Sequence, residues 1–159
     1  MNTVNIIEII RKCKIFNELS EQEILTIAKL GRIEHFRAGE TVYKQGSLGT
    51  NLYVLSEGQV HLERKTDIGK TRKANVTVFI LREQPDRRLM GCWGELVGKR
   101  HVHMCSAICD KPTSVVSIPW ADLKEVTMDN PILRLKILEK LILLLRDRID
   151  SSYGAFDTI

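Results

Sequence analysis

Long apolar runs are missing from this sequence. The longest, LILLL at 141–145, falls well short of the roughly 20 residues that a membrane-spanning helix needs. No membrane partner is therefore expected. The N-terminal MNTVNIIEIIRK has no leading positive region, and Glu8 interrupts its apolar stretch, which argues against a secretory signal. Cysteine is sparse: Cys13, Cys92, Cys105 and Cys109 are spread without paired CxxC spacing. That excludes a small disulfide framework and suits a reducing, cytoplasmic setting. There is no P-loop, no GxGxxG, no Ser-His-Asp set and no paired-carboxylate arrangement. Catalysis is not expected. Low-complexity segments and internal repeats are also lacking.

What is present suits one globular domain. The chain has 159 residues, 43% hydrophobic and 28% charged, enough to bury a sizeable core. The formal net charge is only +4, and both signs are spread along the whole chain. Such a balance makes no case for nucleic acid as a partner.

Hydrophobic period divides the chain in three. Residues 1–31 read as an N-terminal helical segment, with Ile6, Ile7, Ile9 and Ile10 in a first short helix. Ser20 and Glu23 in SEQEILTIAKL form a capping box, Ile24, Ile27, Ala28 and Leu30 give the second helix an apolar face, and Gly31 stops it. Residues 32–119 read as short strands, TVYKQG, NLYVLSEG, QVHLERK and NVTVFILRE among them. Gly39, Gly46, Gly49, Gly58 and Gly69 fall between them, where turns often need positive φ. DIGKTRK at 67–73 and EQPDRR at 83–88 read as loops. Many short strands at such intervals predict a mainly β jelly roll with flanking α-helices. Residues 120–159 return to helix: a short one from Pro119-Trp120, then a long one capped by Asn130 with Pro131 at its first turn.

The long helix carries two apolar stripes. Leu133, Ile137, Leu141 and Leu144 can cover the β domain. Leu135, Leu138, Ile142, Leu145 and Ile149 step by three and four, which is a coiled-coil seam. An exposed seam of that length is a hazard for a monomer, so a homodimer through about 130–150 is expected.

The segment GCWGELVGKRHVHMCSAIC at 91–109 concentrates the unusual chemistry. Gly94 allows close backbone approach, and the residues after it begin a short helix whose unpaired N–H groups attract an anion. Glu95 can cap that helix or accept from a sugar hydroxyl. Gly98 would weaken the helix from within.

These features, with Ile15-Phe16, Leu19-Ser20, Gly39-Glu40, Val42, Gly46, Leu52-Tyr53-Val54, Gly58, Val60, Gly91, Trp93 and Gly94-Glu95-Leu96 in order, resemble the cyclic nucleotide-binding domain. The resemblance covers nearly the whole chain. It implies a double-stranded β-helix, or β roll, with N-terminal helices and a long C-terminal helix, and a phosphate-cassette-like segment at 94–106. It also implies a stand-alone regulatory or sensor module for a cyclic nucleotide, cAMP or cGMP, or another small anion. Carried over, it assigns Gly94, Glu95, Leu96 and Val97 to ligand, with Arg100, Cys105 and Ser106 nearby. In the family, ligand binding repositions the helices beside the roll, and a protein effector is an expected partner. Relatives usually continue into a winged helix-turn-helix; this sequence ends at Ile159 with SSYGAFDTI, so direct DNA binding is not expected.

One departure bears on affinity. The family places a phosphate-pairing arginine some ten residues beyond the glycine, just before small residues. Here Ser106-Ala107 are the small residues and Met104 or Cys105 holds that place. Losing a charge-assisted contact removes roughly 1.5–3 kcal/mol, about one to two decades in affinity, so weak or altered binding is expected. An alternative is a metal-, haem- or redox-linked sensor, because His101, His103 and Cys105 alternate as on one strand face and Cys92 is a fourth soft ligand. A cupin-type metalloenzyme is a further alternative from the HVH triplet, but no glutamate follows at the required spacing.

Overall fold

Serine 20 starts the clearest local decision in the chain. Its Oγ accepts from Glu23 N at 3.2 Å, which fixes the first turn of α2 (Glu21–Ala28) behind α1 (Asn2–Arg11). The reciprocal half of the expected capping box is not made. The Glu23 carboxylate reaches Lys136 Nζ on the last helix instead, at 2.7 Å. The computed structural model describes residues 2–68, 72–94 and 98–157.

Among the described residues eight strands follow: β1 (Arg32–Phe36), β2 (Thr41–Tyr43), β3 (Asn51–Glu57), β4 (Val60–Ile68), β5 (Arg72–Leu81), β6 (Leu89–Gly91), β7 (Ser106–Cys109) and β8 (Thr113–Pro119). They form two four-stranded antiparallel sheets, ordered β1-β8-β3-β6 and β2-β7-β4-β5. The fold is thus a mainly β roll with flanking helices, as the strand spacing predicts. α3 (Trp120–Met128) and the long α4 (Pro131–Asp157) complete it. Asn130 Oδ1 accepts from Leu133 N at 3.1 Å, with Pro131 at the first helical position, so the predicted cap of α4 is made.

The first sheet is covered on both faces, and its sequence shows why strict alternation is absent from β3 and β8. Leu52, Val54, Val116 and Ile118 face the helices and join Ile10, Phe16, Ile27, Trp120, Leu133 and Ile137 in one core. Leu55, Met90 and Val115 face the other way and meet Val60, Leu81 and Ala107 of the second sheet. A strand buried on both sides reads as a continuous apolar run, because each pleat direction meets a dry neighbour.

α4 splits its apolar residues between two tasks. Leu133, Ile137, Leu141 and Leu144 are buried against the body of the protein. Of the expected seam, Leu138 and Leu145 also pack against this core, while Leu135, Ile142 and Ile149 are 57%, 66% and 52% exposed. The exposed row is therefore narrower than the sequence pattern suggests and steps by seven.

Turn glycines behave mostly as expected. Gly39, Gly46 and Gly58 have positive φ, whereas Gly49 does not and Gly69 lies outside the described residues. Gly91, at the end of β6, is tightly constrained. Its φ is +105°, and a Cβ there would stand 2.6 Å from Asn51 O and 3.0 Å from Tyr53 Cδ2. Both the backbone region and the space demand glycine. Gly91→Ala is expected to lower the unfolding free energy by about 2–4 kcal/mol. Urea denaturation measures it, and a change below about 0.5 kcal/mol would contradict this geometry.

Candidate functional site

Beyond Gly91 the chain leaves the first sheet and loops back to β7, and this return builds one wall of a cavity. Gly49 N donates to His101 O at 2.8 Å, and His103 N donates to Ser47 O at 2.9 Å. Leu48 and Val102 form an isolated antiparallel bridge. Residues 101–103 thus run extended, and the chain bends at Met104 and Cys105; Val102 and Met104 are 49% and 59% exposed. His101, His103 and Cys105 line a cavity of about 300 Å³. Met104 lines it too, so the His-x-His-x-Cys residues meet at the cavity without the strict alternation that a strand would give.

The other walls come from far apart in sequence. Tyr43 of β2 lies flat on His103, with ring centres 3.9 Å apart and planes 14° apart. Its hydroxyl accepts from Gly91 N at 3.3 Å. His101 meets His103 edge-on at 5.5 Å. Leu62, Val78, Phe79 and Trp93 add apolar surface. Burial governs the ionisation of this wall. It holds His103 down at about 4, helped by neighbouring His101, and lowers His101 as well. It also pushes the Tyr43 hydroxyl and the Cys105 thiol up. All four are uncharged at neutral pH.

The last wall is α4, which sends Arg148 and Ser152 into the cavity. Arg148 is 9% exposed. Its guanidinium carbon sits 4.1 Å above the Phe79 ring centre and 5.9 Å from that of Trp93, and Nη2 donates to Leu89 O. Burial pulls its pKa down to about 10, which leaves it protonated at neutral pH. Its Nε is buried with no hydrogen-bond partner among the described residues.

The sequence-derived site residues are only partly gathered here. Cys105, His101 and His103 line the cavity, and Trp93 closes one side. Arg100 is exposed and is not part of the lining. Ser106 opens β7, and its Oγ accepts from Gln45 N at 2.9 Å; it faces a separate surface depression with Lys44 and Lys65. Glu95, Leu96 and Val97 lie outside the described residues. Gly94 is partly buried, and Gly94 O accepts from Lys99 N at 3.0 Å. Gly98 has φ +73°, so it supplies the left-handed closure of a turn, as in a Schellman cap. Glycine is favoured there by conformation, in place of the weakening expected from a helix interior. Cys92 is buried, with its thiol directed to Gly49 O at 3.5 Å. Among the described residues no group of three or more His, Cys, Asp or Glu is placed to hold a metal ion.

Arg148 was not picked out from the sequence, although a signal existed. The buried stripe Leu133, Ile137, Leu141, Leu144 continues by one more step of four to residue 148. A charged residue in the buried register of a helix calls for a partner or a ligand.

Comparison with known proteins adds the following. The family model described as the cyclic nucleotide-binding domain matches residues 33–130. The global nitrogen regulator of Synechococcus elongatus is 27% identical over 100 residues, covering 63% of this chain and 42% of that protein. The chain thus spans less than half of that relative's length. A cyclic nucleotide-binding domain from Methylobacillus flagellatus superposes with TM-score 0.74 at 20% identity, over 96% of this chain and 80% of that one. The sensor domain of the transcriptional regulator DNR from Pseudomonas aeruginosa gives 0.66 at 20% identity, over 90% of each chain. The regulatory subunit of a cAMP-independent protein kinase A from Trypanosoma brucei, a mutant with cAMP in its A site, gives 0.72 at 15% identity, over 99% and 51%. At these identities the structural matches establish a shared fold.

The depressed His103 pKa has a stability consequence. The ring protonates at about 4 in the folded chain against its ordinary 6.5, so the unfolded chain takes up the proton first as pH falls. The contribution is fully present above about pH 6.5 and is lost as pH drops toward about 4. His103→Gln is expected to lessen the acid-side loss by ~1 kcal/mol. Urea unfolding at about pH 7 and about pH 4.5 checks this; equal losses in the wild type and the variant would contradict it.

Proposed function

The chain belongs to the cyclic nucleotide-binding domain family, and we propose that it acts there as a non-enzymatic regulatory sensor whose pocket has moved away from ordinary cyclic-nucleotide binding. One observation carries this reading. Met104 and Cys105, one of which holds the place where the family resemblance calls for a phosphate-pairing arginine, both line the cavity, and the Cys105 thiol is held neutral by burial. A neutral thiol offers a weak donor in place of a fixed charge with a bidentate fork. The Met104 side chain beside it is also uncharged and 59% exposed.

The response runs through α4. That helix lines the pocket with Arg148 and Ser152 and carries Leu135, Ile142 and Ile149 in an exposed row on its outer side. Ile132 and Tyr153, 69% and 66% exposed, widen the row. A second copy of the chain is the partner that best fits a heptad-spaced apolar row. Movement of α4 on ligand binding would then alter the dimer surface that an effector meets. Among the described residues no helix is long and apolar enough to cross a membrane. A cytoplasmic location fits this reading and the scattered cysteines.

Two measurements test it. Calorimetry with cAMP and with cGMP is expected to show weak or no binding, reduced by about one to two decades relative to a site with the arginine. A submicromolar dissociation constant for either would overturn the argument from Cys105. Light scattering at micromolar protein is expected to give twice the 18.2 kDa chain mass and the single-chain mass for Ile142→Glu. A monomeric wild type would contradict the dimer. Ile142 is a cleaner probe than Leu138, which also packs on the core.

A further inference from the structure

We infer that Arg148 is the anion-binding residue of this pocket and that the pocket's ligand is a small organic monoanion with an apolar body, such as an aromatic or branched carboxylate. The inference rests on the reading of the pocket as a ligand site and goes beyond it by naming the anchor and the ligand class.

Charge is the first ground. Among the described residues that line the cavity, Arg148 is the one that is charged at neutral pH, since the two imidazoles, the phenol and the thiol are neutral there. Among the described residues no carboxylate forms an ion pair with it. Arg87, 5.0 Å from the Phe79 ring centre, adds to the positive field at Arg148, and Asp86 offsets part of it without pairing with the guanidinium. A buried guanidinium held by one carbonyl and two aromatic rings retains an uncompensated desolvation cost. One anionic group offsets it; two would leave a surplus negative charge in an apolar cavity.

Geometry is the second ground. Nη2 is bonded to Leu89 O, and the adjacent Nε, buried and without a partner among the described residues, is a vacant donor on the same planar fork. Carboxylates and other planar oxyanions match that fork.

The rest of the wall defines the body of the ligand. Leu62, Val78, Phe79 and Trp93 are apolar. Of the polar groups, Tyr43 OH accepts from Gly91 N and Ser152 Oγ donates to Arg148 O, while the neutral His101 and His103 rings face the same space. At about 300 Å³ the cavity stands at the small end of ligand pockets, which run from about 300 to 1,000 Å³. Because the anchor is part of α4, an anion that draws on Arg148 acts on the helix directly.

Calorimetry with phenylacetate and its neutral isostere phenylacetamide tests this on the full chain. The wild type is expected to bind the acid at least about tenfold more tightly than the amide. Arg148→Met should reduce that preference below about twofold, with Arg148→Lys retaining part of it. Thermal unfolding of each variant confirms that it is folded, and the acid-against-amide comparison needs no variant at all. Equal affinity for acid and amide, or no binding of the acid, overturns the inference, as does an acid preference that survives in folded Arg148→Met. cAMP and inorganic phosphate titrated in the same buffer separate the sources of the anion. If either binds more tightly than phenylacetate, the ligand class is wrong. Submicromolar cAMP binding contradicts the broader reading of the pocket as well, whereas weak cAMP binding with no acid preference contradicts this inference alone.

Discussion

A guanidinium without a carboxylate partner among the described residues, shut between the last helix and the β roll, is the constraint on which the site depends. Removing an ion from water costs several kcal/mol even after the surroundings relax. The protein offsets part of that cost with Leu89 O and with the faces of Phe79 and Trp93. These contacts come from β5, from β6 and from the loop that follows it. They tie α4 to the elements that form the pocket, so the helix and the cavity share one set of interactions. A ligand that satisfies Arg148 must therefore change what holds α4.

The same helix faces outward with an apolar row. Its inner stripe, Leu133 to Leu144, secures it to the core along the first half of its length, and the Lys136–Glu23 pair at 2.7 Å joins it to α2. Arg148 lies beyond that stripe, where the helix passes over the pocket. In the proposed reading the well-packed half acts as a fixed arm, and the half over the cavity responds to what the cavity holds. That division gives a regulatory member of the cyclic nucleotide-binding domain family a physical route from ligand to surface.

Much of the architecture could be read from the sequence because it rests on local rules. Asn130-Pro131 marks a helix start, Ser20 an N-cap, and glycines at turns separate strands whose apolar runs reflect burial on both faces. Pairing of Ser20 with Glu23 as a full box failed because a tertiary partner, Lys136, competed for the carboxylate. The exposed seam was over-read for a similar reason: Leu138 and Leu145 have the right spacing but pack on the core. At the pocket, the meeting of His101, His103 and Cys105 was legible from their spacing, although the chain bends at Met104 and Cys105. The stack of Tyr43 on His103, and Arg148 over Phe79, were not, since they join positions from 60 to nearly 70 residues apart. No local pattern encodes such pairings. Only the charge in a buried helix register hinted at the second.

The link between Arg148 and the β roll can be measured without any ligand. A double-mutant cycle with Arg148→Met and Phe79→Leu, read by urea unfolding at neutral pH, isolates their interaction from other effects of each change. A coupling of about 1–2 kcal/mol is expected for a desolvated cation on an aromatic face. Additive changes, within about 0.3 kcal/mol, would contradict the seating of the guanidinium in the pocket.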